Sequence, residues 1–294
     1  MELVYALQSA ASPALDRLMM AVTQLGSETV YIALIVVVFT GVDAQRGRSL
    51  ALLLLASFYV NQVLKLAFTT QRPFQVDPEV LRSPAAADTA PGHGFPSGHA
   101  QGSATFWGVA ATYVKRNGFT VLALAIVLGV SVSRVYLGVH MPIDILGGWF
   151  VAALFVALAV WLRRSRFSLG KGLTIGLGLG LPLALQLILP NDMSGMLLGC
   201  FAAFAVGPEI VRHEAGGTLV QRVLLCALAL ALAFGALMGS SVALPEEFKR
   251  LPLVAFTRYF VIGALVTVAM PLLGRRLGLA PGATRTAVAA SRAR

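Results

Sequence analysis

Three short polar segments carry the residues of this sequence that could do chemistry together. They read KLAFTTQRP at residues 65–73, PSGH at 96–99 and SRVYLGVHMPID at 133–144. The first brings two cations, the second a histidine, and the third an arginine, a histidine and an aspartate. Cations gathered with histidines and one carboxylate indicate chemistry on an anion, and phosphate is the leading candidate.

The cations and the PSGH segment together predict a phosphate site. Arginine presents a planar fork of donors to phosphate oxygens, and lysine adds a point charge. Ser97 and Gly98 stand at the predicted first turn of a helix, where free backbone N–H groups and the positive end of the dipole favour phosphate. The predicted phosphate-binding residues are Lys65, Arg72, Ser97, Gly98 and Arg134.

The two histidines at residues 99 and 140 supply the predicted catalytic groups. His140 and Asp144 are four residues apart across a predicted helix start, which puts both side chains on one face. A carboxylate bonded to one ring nitrogen fixes the tautomer and leaves the other nitrogen free to attack phosphorus. His99 is then available as general acid to the leaving oxygen. Asn61, one helical turn before Lys65, is a candidate for supporting that lysine.

A metal site is the rival chemistry for two histidines and an aspartate. Three nearby cations would repel a divalent ion, and no group of further carboxylates surrounds the histidines in the sequence. We therefore expect a reaction that uses no metal and no other cofactor, with the cations neutralising the charge of the phosphate.

Read together, the three segments resemble the three-part signature of the type 2 phosphatidic acid phosphatase superfamily, over roughly residues 28–160. This superfamily includes membrane lipid phosphatases, glucose-6-phosphatases and soluble vanadium haloperoxidases. The resemblance implies that His140 forms a phosphohistidine, that Asp144 orients it, and that His99 protonates the leaving group and then activates the hydrolytic water. The positions implied to hold the phosphoryl oxygens are Lys65, Arg72, Ser97, Gly98 and Arg134.

The composition indicates which elements position these residues. Charged residues make up only 12% of the 294 residues, and the mean hydropathy is +0.79. Soluble domains carry about twice that share of charge, so we predict an all-α integral membrane protein. Nine apolar segments come near the length that a bilayer requires. They are residues 28–42, 49–68, 98–114, 119–137, 143–162, 172–189, 194–211, 223–243 and 252–273.

The net charge of +10 follows the same membrane pattern and calls for no nucleic-acid partner. Basic residues concentrate in alternate loops and in the C-terminal tail, which the positive-inside rule places in the cytoplasm. The three polar segments then lie at the outer face. The first residues lack the basic start of a signal peptide, because Glu2 stands there and Asp16 interrupts the apolar run. We predict a helix lying on the outer surface of the membrane instead.

The polar segments end near residue 145, and the later spans are rich in Leu, Ala and Gly. We predict a phosphatase core at residues 1–165, made of an interfacial N-terminal helix and five spans. An accessory region of four transmembrane helices at 166–275 and a basic, disordered tail at 276–294 follow. The segment GLTIGLGLGLPLALQLILP, at 172–190, is a Gly-rich span suited to close helix packing.

The expected function is hydrolysis of a lipid phosphate or diphosphate at the outer face of a bacterial cytoplasmic membrane. A bacterial source is indicated by the Arg-rich, Lys-poor composition. Undecaprenyl diphosphate, phosphatidic acid and phosphatidylglycerophosphate are the candidate substrates, and the substrate and the bilayer are the expected partners.

Two alternatives remain. A sugar-phosphate phosphatase is the first, because the nine-span layout is similar to glucose-6-phosphatase. A lipid or sugar-phosphate carrier is the second, although binding alone needs no histidine paired with a carboxylate, and the sequence has no repeat of the kind that transporters commonly show. The membrane spans exclude a haloperoxidase in practice.

Overall fold

The structure of the protein is a computed structural model that describes residues 1–165 and 169–280. Over these residues every regular element is a helix and no strand occurs. The prediction of an all-α fold is therefore confirmed. The predicted tail is described only as far as residue 280, and its remainder lies outside the described residues.

Two short helices precede the first apolar segment. α1 spans Glu2–Gln8 and α2 spans Pro13–Gln24. The hydroxyl of Ser12 caps α2 by accepting a hydrogen bond from the backbone N–H of Leu15, and a proline fills the first helical position. The segment thus holds two helices where one was predicted, and their place at the membrane surface stays a prediction.

The next two helices lead to the first polar segment. α3, Glu28–Val37, follows α2 after a bend of 45° and continues as a π-helical turn, Val38–Val42. α4, Ala44–Phe68, is a long helix whose last turn contains Lys65. The chain leaves this helix one turn after the lysine.

A loop with three short helical turns connects α4 to the second polar segment. α5 spans Pro73–Val76, a 3₁₀ turn spans Pro78–Val80, and α6 spans Pro84–Asp88. Each of them begins with proline at its first position, where the missing N–H costs no hydrogen bond.

Three long helices carry the remaining polar residues. α7 spans Gly98–Val114, α8 spans Asn117–Tyr136 and α9 spans Pro142–Ser165. α7 contacts both α8 and α9. A Cβ at Gly148 would lie 2.9 Å from the carbonyl oxygen of Ser97, so glycine is needed where α9 crosses the start of α7.

The second half of the chain is also helical. Its elements are α10 Lys171–Ile188, α11 Asp192–Ile210, α12 Leu219–Ala243, α13 Glu246–Lys249, α14 Pro252–Ala264, a π-helical turn Leu265–Ala269, and α15 Met270–Arg276. α11 and α14 approach closely, because a Cβ at Gly199 would overlap the carbonyl oxygen of Phe256. Small residues allow such approach between membrane helices.

The Gly-rich helix α10 is packed less closely than predicted. Within the described part of the chain, no neighbouring atom lies within 4 Å of a Cβ built at Gly172, Gly176 or Gly180. At Gly178, in contrast, a Cβ would lie 2.9 Å from the side chain of Ala205. The prediction of close packing is wrong for these three glycines, because only one face of α10 is covered.

Seven helices of the described residues are long and apolar enough to cross a membrane, and the bent pair of α2 with α3 adds an eighth if it forms one span. Each of the nine predicted segments lies on a helix. The segment at 98–114 is α7, whose 17 residues fall short of the usual ~20-residue span. The chain is an integral membrane protein, and the count of nine crossings stays a prediction.

The described residues form two compact units. One comprises residues 1–31 and 57–165, and the other comprises 32–56 and 169–280. All three polar segments belong to the first unit. The predicted boundaries between core, accessory region and tail stay a prediction.

Candidate active site

Four helix ends supply the polar residues of the first unit. Lys65 lies in the last turn of α4 and Arg134 in the last turn of α8. Asp144 lies in the first turn of α9, and His99 is the second residue of α7. The arrangement brings two helix N-termini, with their positive dipole ends, to the place where the cations gather.

His140 and Asp144 form a buried pair, as their spacing predicts. Nδ1 of His140 lies 3.2 Å from Oδ2 of Asp144, and the backbone N–H of Met141 donates to the same oxygen at 2.8 Å. Both side chains are about 2–3% exposed. The carboxylate is thus held by two donors from the turn that precedes α9.

Arg72 contacts the other side of the His140 ring. Its Nη1 lies 3.0 Å from Nε2 of His140. A guanidinium can only donate, so Nε2 accepts and Nδ1 carries the proton that faces Asp144. The pairings at the two nitrogens therefore agree on a single neutral tautomer.

All five N–H groups of Arg72 bind acceptors of the protein itself. Besides His140, the acceptors are the backbone carbonyls of Pro91, Gly92, His93 and Val139, at 2.8 to 3.0 Å. The guanidinium is fully buried. A phosphate could take a hydrogen bond from Arg72 only by replacing one of these acceptors.

Lys65 shares one of those carbonyls. Its Nζ donates to the backbone oxygen of His93 at 2.5 Å, and Nη2 of Arg72 donates to the same oxygen at 3.0 Å. This carbonyl oxygen thus accepts hydrogen bonds from two cations. The ring of His93 has no part in these contacts.

Arg134 is completely buried and is held by neutral oxygens. Nη1 donates to the hydroxyls of Thr23 at 2.9 Å and Thr89 at 2.7 Å, and Nη2 donates to the carbonyl of Thr89 at 3.1 Å. Its Nε is buried and has no hydrogen-bond partner among the described residues. One donor of this cation is therefore available to a ligand.

The PSGH segment forms the start of α7, as predicted. The hydroxyl of Ser97 caps the helix, and the backbone N–H of Ser97 donates to the carbonyl of Asp144 at 3.0 Å. A Cβ at Gly98 would lie 3.5 Å from Oδ1 of Asn61, an ordinary contact. The Ser97 N–H is thus already used, and it joins the second polar segment to the third.

The three cations of the predicted site and His99 all act on His140, which precedes α9. Burial lowers the pKa of His140 well below its ordinary value of 6.5. Four neighbouring groups lower this pKa further, in the order Arg72, Arg134, Lys65 and His99. The ring is therefore neutral at physiological pH, and the structure brings the predicted cations and both histidines together around it.

A buried polar network behind the PSGH segment was missed by the sequence analysis. Nδ2 of Asn61 donates to the carbonyl of Pro96 at 3.2 Å and to Oε1 of Gln101 at 2.8 Å. Nε2 of Gln101 donates to the carbonyl of Ser57 at 2.6 Å. Asn61 therefore supports the start of α7, while its predicted link to Lys65 stays a prediction. The four-residue spacing of Ser57 and Asn61 on an apolar helix was the available signal.

The N-terminal helices are held within the first unit by polar side chains whose contacts were also missed. Nε2 of Gln8 donates to the carbonyls of Val80 at 2.8 Å and Tyr136 at 2.7 Å. Asp16 accepts two hydrogen bonds from Arg82, both at 3.0 Å, and one from the hydroxyl of Tyr136 at 2.6 Å. These bonds fix α1 and α2 against the end of α8.

Sequence comparison covers both halves of the chain. Residues 46–168 match the PAP2 superfamily, and residues 192–283 match a family described as the transmembrane extension of PAP2 superfamily phosphatases. An undecaprenyl-diphosphatase of Sulfolobus acidocaldarius is 30% identical over 158 residues, which are 51% of this chain and 72% of that protein. The chain belongs to the PAP2 superfamily.

Two further proteins are similar to this PAP2 phosphatase. Phosphatidylglycerophosphatase B of Bacillus subtilis is 33% identical over 159 residues, which are 50% of this chain and 74% of that protein. A solved structure of a transmembrane PAP2-type phosphatidylglycerolphosphate phosphatase from Bacillus subtilis is 26% identical, with a TM-score of 0.46. The matched region covers 57% of the present chain and 85% of the Bacillus subtilis chain.

The family predicted from the three polar segments is thus confirmed. The chain is a phosphatase of the PAP2 type in the membrane, and much of its second half corresponds to a transmembrane extension found with such phosphatases. Over residues 1–165 and 169–280, no group of three or more His, Cys, Asp and Glu side chains is placed to hold a metal ion.

Proposed function

We propose that this PAP2 phosphatase removes the terminal phosphate of a membrane lipid through a phosphohistidine at His140. Undecaprenyl diphosphate and phosphatidylglycerophosphate are the first candidate substrates, with phosphatidic acid as the third. The reaction takes place at the outer face of a bacterial cytoplasmic membrane, with the C-terminus in the cytoplasm. It uses no divalent metal ion.

The observation that carries the proposal is the position of the His140 ring between Asp144 and Arg72. Oδ2 of Asp144 lies 3.2 Å from Nδ1, and Nη1 of Arg72 lies 3.0 Å from Nε2. A histidine held in this tautomer keeps a lone pair on Nε2, the nitrogen that faces the cations. That lone pair accepts from Nη1 of Arg72 in this structure, and transfer of the donor to a phosphoryl oxygen would free it for attack on phosphorus.

Two features support a phosphoryl group beside that nitrogen. The buried Nε of Arg134 lacks an acceptor among the described residues, and an unmet buried donor costs about 1–3 kcal/mol. A phosphoryl oxygen would accept from it. The carbonyl of His93 accepts from both Lys65 and Arg72, and a second phosphoryl oxygen can replace it there.

Substrate binding changes the contacts of Arg72 with His140 and with the loop at residues 91–93. Because all five donors of Arg72 are used by the protein, at least one acceptor must leave before a phosphoryl oxygen binds there, and Nη1 must release Nε2 of His140 before that nitrogen attacks. Gly92 lies within this loop with a φ of +65°, so the backbone there is already in the region that favours glycine.

The reaction then proceeds in two steps. Nε2 of His140 attacks phosphorus, the bond from phosphorus to the leaving oxygen breaks, and His99 gives its proton to that oxygen. Water then attacks the phosphohistidine, His99 takes a proton from the water, and the P–N bond breaks. Inorganic phosphate is released and both histidines return to their starting states. Lys65, Arg72, Arg134 and the first turn of α7 neutralise the phosphoryl oxygens throughout.

A lipid substrate is supported by the relatives and by the membrane location. Both relatives are named for lipid phosphate substrates, an undecaprenyl diphosphate and a phosphatidylglycerophosphate. The alternating basic loops support the outer face for the site. No observation favours the sugar-phosphate or carrier alternatives.

Phosphate release by the purified protein in detergent tests this proposal. The panel contains the three lipids and glucose 6-phosphate, each with and without a chelator of divalent ions, and His140→Ala is the control. We expect release from at least one lipid, unchanged by the chelator and absent in the variant. Preference for glucose 6-phosphate would overturn the proposed substrate class. Loss of activity with the chelator that added Mg²⁺ restores would overturn the metal-free mechanism.

A further inference from the structure

The buried cation Arg134 depends on a residue from a distant part of the chain. Its guanidinium is fully buried, and the acceptors that it contacts among the described residues are neutral. A buried charge is stable only when its donors are met. Thr23, in the last turn of α2 and 111 residues away in sequence, supplies one of three such bonds.

Thr23 is in turn fixed by the packing of α2. The residue is fully buried, and α2 packs on α8, the helix that carries Arg134. The other end of α2 is anchored where Asp16 accepts from Arg82 and from Tyr136, at 2.6 to 3.0 Å. The hydroxyl of Thr23 is thus held in one place relative to the guanidinium.

The turn that follows α2 contacts the second histidine of the site. A Cβ at Gly26 would lie 3.2 Å from Cδ2 of His99 and 2.6 Å from Cγ1 of Val130. The backbone at Gly26 therefore lies against the His99 ring. Any larger residue there has to displace the imidazole, the valine or itself.

We propose that the end of α2 and the turn after it, residues 23–26, form a wall of the active site that positions Arg134 and His99. Thr23 and Gly26 are positioning residues, since they act through the cation and the histidine that touch the substrate. The inference rests on the proposed function. It assigns to the N-terminal helices a part in catalysis that their sequence, which predicts only a surface helix, does not suggest.

The two residues should affect different steps of the reaction. Thr23→Val keeps the shape and removes the acceptor, so Arg134 loses one of its anchors while binding the phosphoryl group. We expect phosphate and orthovanadate to bind about 10-fold to 100-fold more weakly, the size of one hydrogen bond to a charged group. Thr23→Ser, which keeps the hydroxyl, should restore binding to within a few fold.

Gly26→Ala should affect proton transfer by His99 instead. We expect the rate of the first step, phosphoenzyme formation at saturating lipid, to fall at least tenfold with anion affinity nearly unchanged, because the general acid is displaced while the cations stay in place. With p-nitrophenyl phosphate, whose leaving group needs no proton, the loss in the rate of this first step should be much smaller. A merely structural role for Gly26 would lower both activities equally.

Matched controls separate these effects from general destabilisation. Thr40→Val removes a buried hydroxyl in the other unit, one that donates to the carbonyl of Val36 at 2.7 Å. Gly129→Ala adds a methyl within the α2–α8 contact at an ordinary 3.4 Å from Val22. Both variants should keep the wild-type phosphate affinity and leaving-group dependence.

The experiment is calorimetric titration of the full-length protein in detergent with phosphate and orthovanadate, followed by kinetics on both ester types. The inference is overturned if Thr23→Val binds both anions like the wild type, or if Gly26→Ala loses both activities in equal measure. Should Thr23→Val fail to fold, Thr23→Ala and Thr23→Ser must still differ in anion affinity. Failure to hydrolyse any lipid of the panel would refute the proposed function alone. The anion-binding result would still stand in that case, because binding of phosphate or orthovanadate needs no turnover.

Discussion

Nη1 of Arg72 lies 3.0 Å from Nε2 of His140, so a cation faces the nitrogen that we propose as the nucleophile. The same guanidinium donates hydrogen bonds to four backbone carbonyls. Arg72 thus does two things at once: it holds the loop around the site and it presents a positive charge where the phosphoryl group must bind.

Arg72→Lys should lower kcat/KM at least 100-fold despite the retained charge. An ammonium offers three donors from one point, whereas the site uses five donors from a planar fork. The measurement is steady-state hydrolysis of the preferred lipid, with Arg116→Lys, at an exposed position before α8, as the matched control. A change of less than threefold in Arg72→Lys would contradict this role.

Asp144→Asn should lower kcat toward the ~10⁴-fold loss that follows when a carboxylate paired with a catalytic histidine is neutralised. An amide can present its NH₂ group to Nδ1 and favour the wrong tautomer of His140. The kinetic constants of Asp144→Asn are compared with those of Asp192→Asn, which changes an exposed carboxylate in the first turn of α11. Retention of a tenth or more of the wild-type kcat would refute the orienting role.

The pH dependence of kcat/KM should reflect the lowered pKa of His140. Burial and the nearby cations oppose protonation of the ring, so the nucleophile loses its lone pair only at pH values well below 6.5. Activity that depends on neutral His140 is therefore fully present at pH 6.5 and above, and it falls as the pH drops through the lowered pKa of this ring. An acidic limb of kcat/KM that is centred at or above pH 6.5 and assigned to His140 would contradict the burial of this ring.

Gln101→Leu should destabilise the protein by about 1–3 kcal/mol, because it removes the buried acceptor of one Asn61 N–H and the side-chain donor to the Ser57 carbonyl and hydroxyl. Reversible unfolding in mixed micelles measures the loss. Gln24→Leu, at an exposed position of α2, is the control and should cost little. Equal stability of Gln101→Leu and the wild type would show that the network is not structurally important.

Local spacing let the sequence predict much of the site. The four-residue spacing of His140 and Asp144 corresponds to about one helical turn, and Ser97 stands where a helix cap belongs, so both features follow from helix geometry alone. The apolar segments predicted every long helix for the same reason, since a bilayer fixes their length and composition.

The partners of the cations could not be predicted in the same way. Arg72 binds backbone carbonyls, which every residue carries and which therefore leave no trace in the side-chain pattern. Thr23 meets Arg134 across 111 residues, a distance in sequence that only tertiary packing closes. The packing of α10 was missed because its glycines indicate a smooth surface without indicating whether a neighbour covers it.

Trapping of the phosphoenzyme tests the central claim, a covalent intermediate on His140, most directly. Purified protein is mixed with lipid labelled at the terminal phosphate and quenched within one turnover. His99→Gln is treated with p-nitrophenyl phosphate labelled in the same way, because that leaving group needs no proton and the substitution then slows only the second step. We predict label on the protein that is stable in alkali, is lost in acid, maps to residue 140 and is absent in His140→Ala. Turnover without protein-bound label, or label on another residue, would contradict the account.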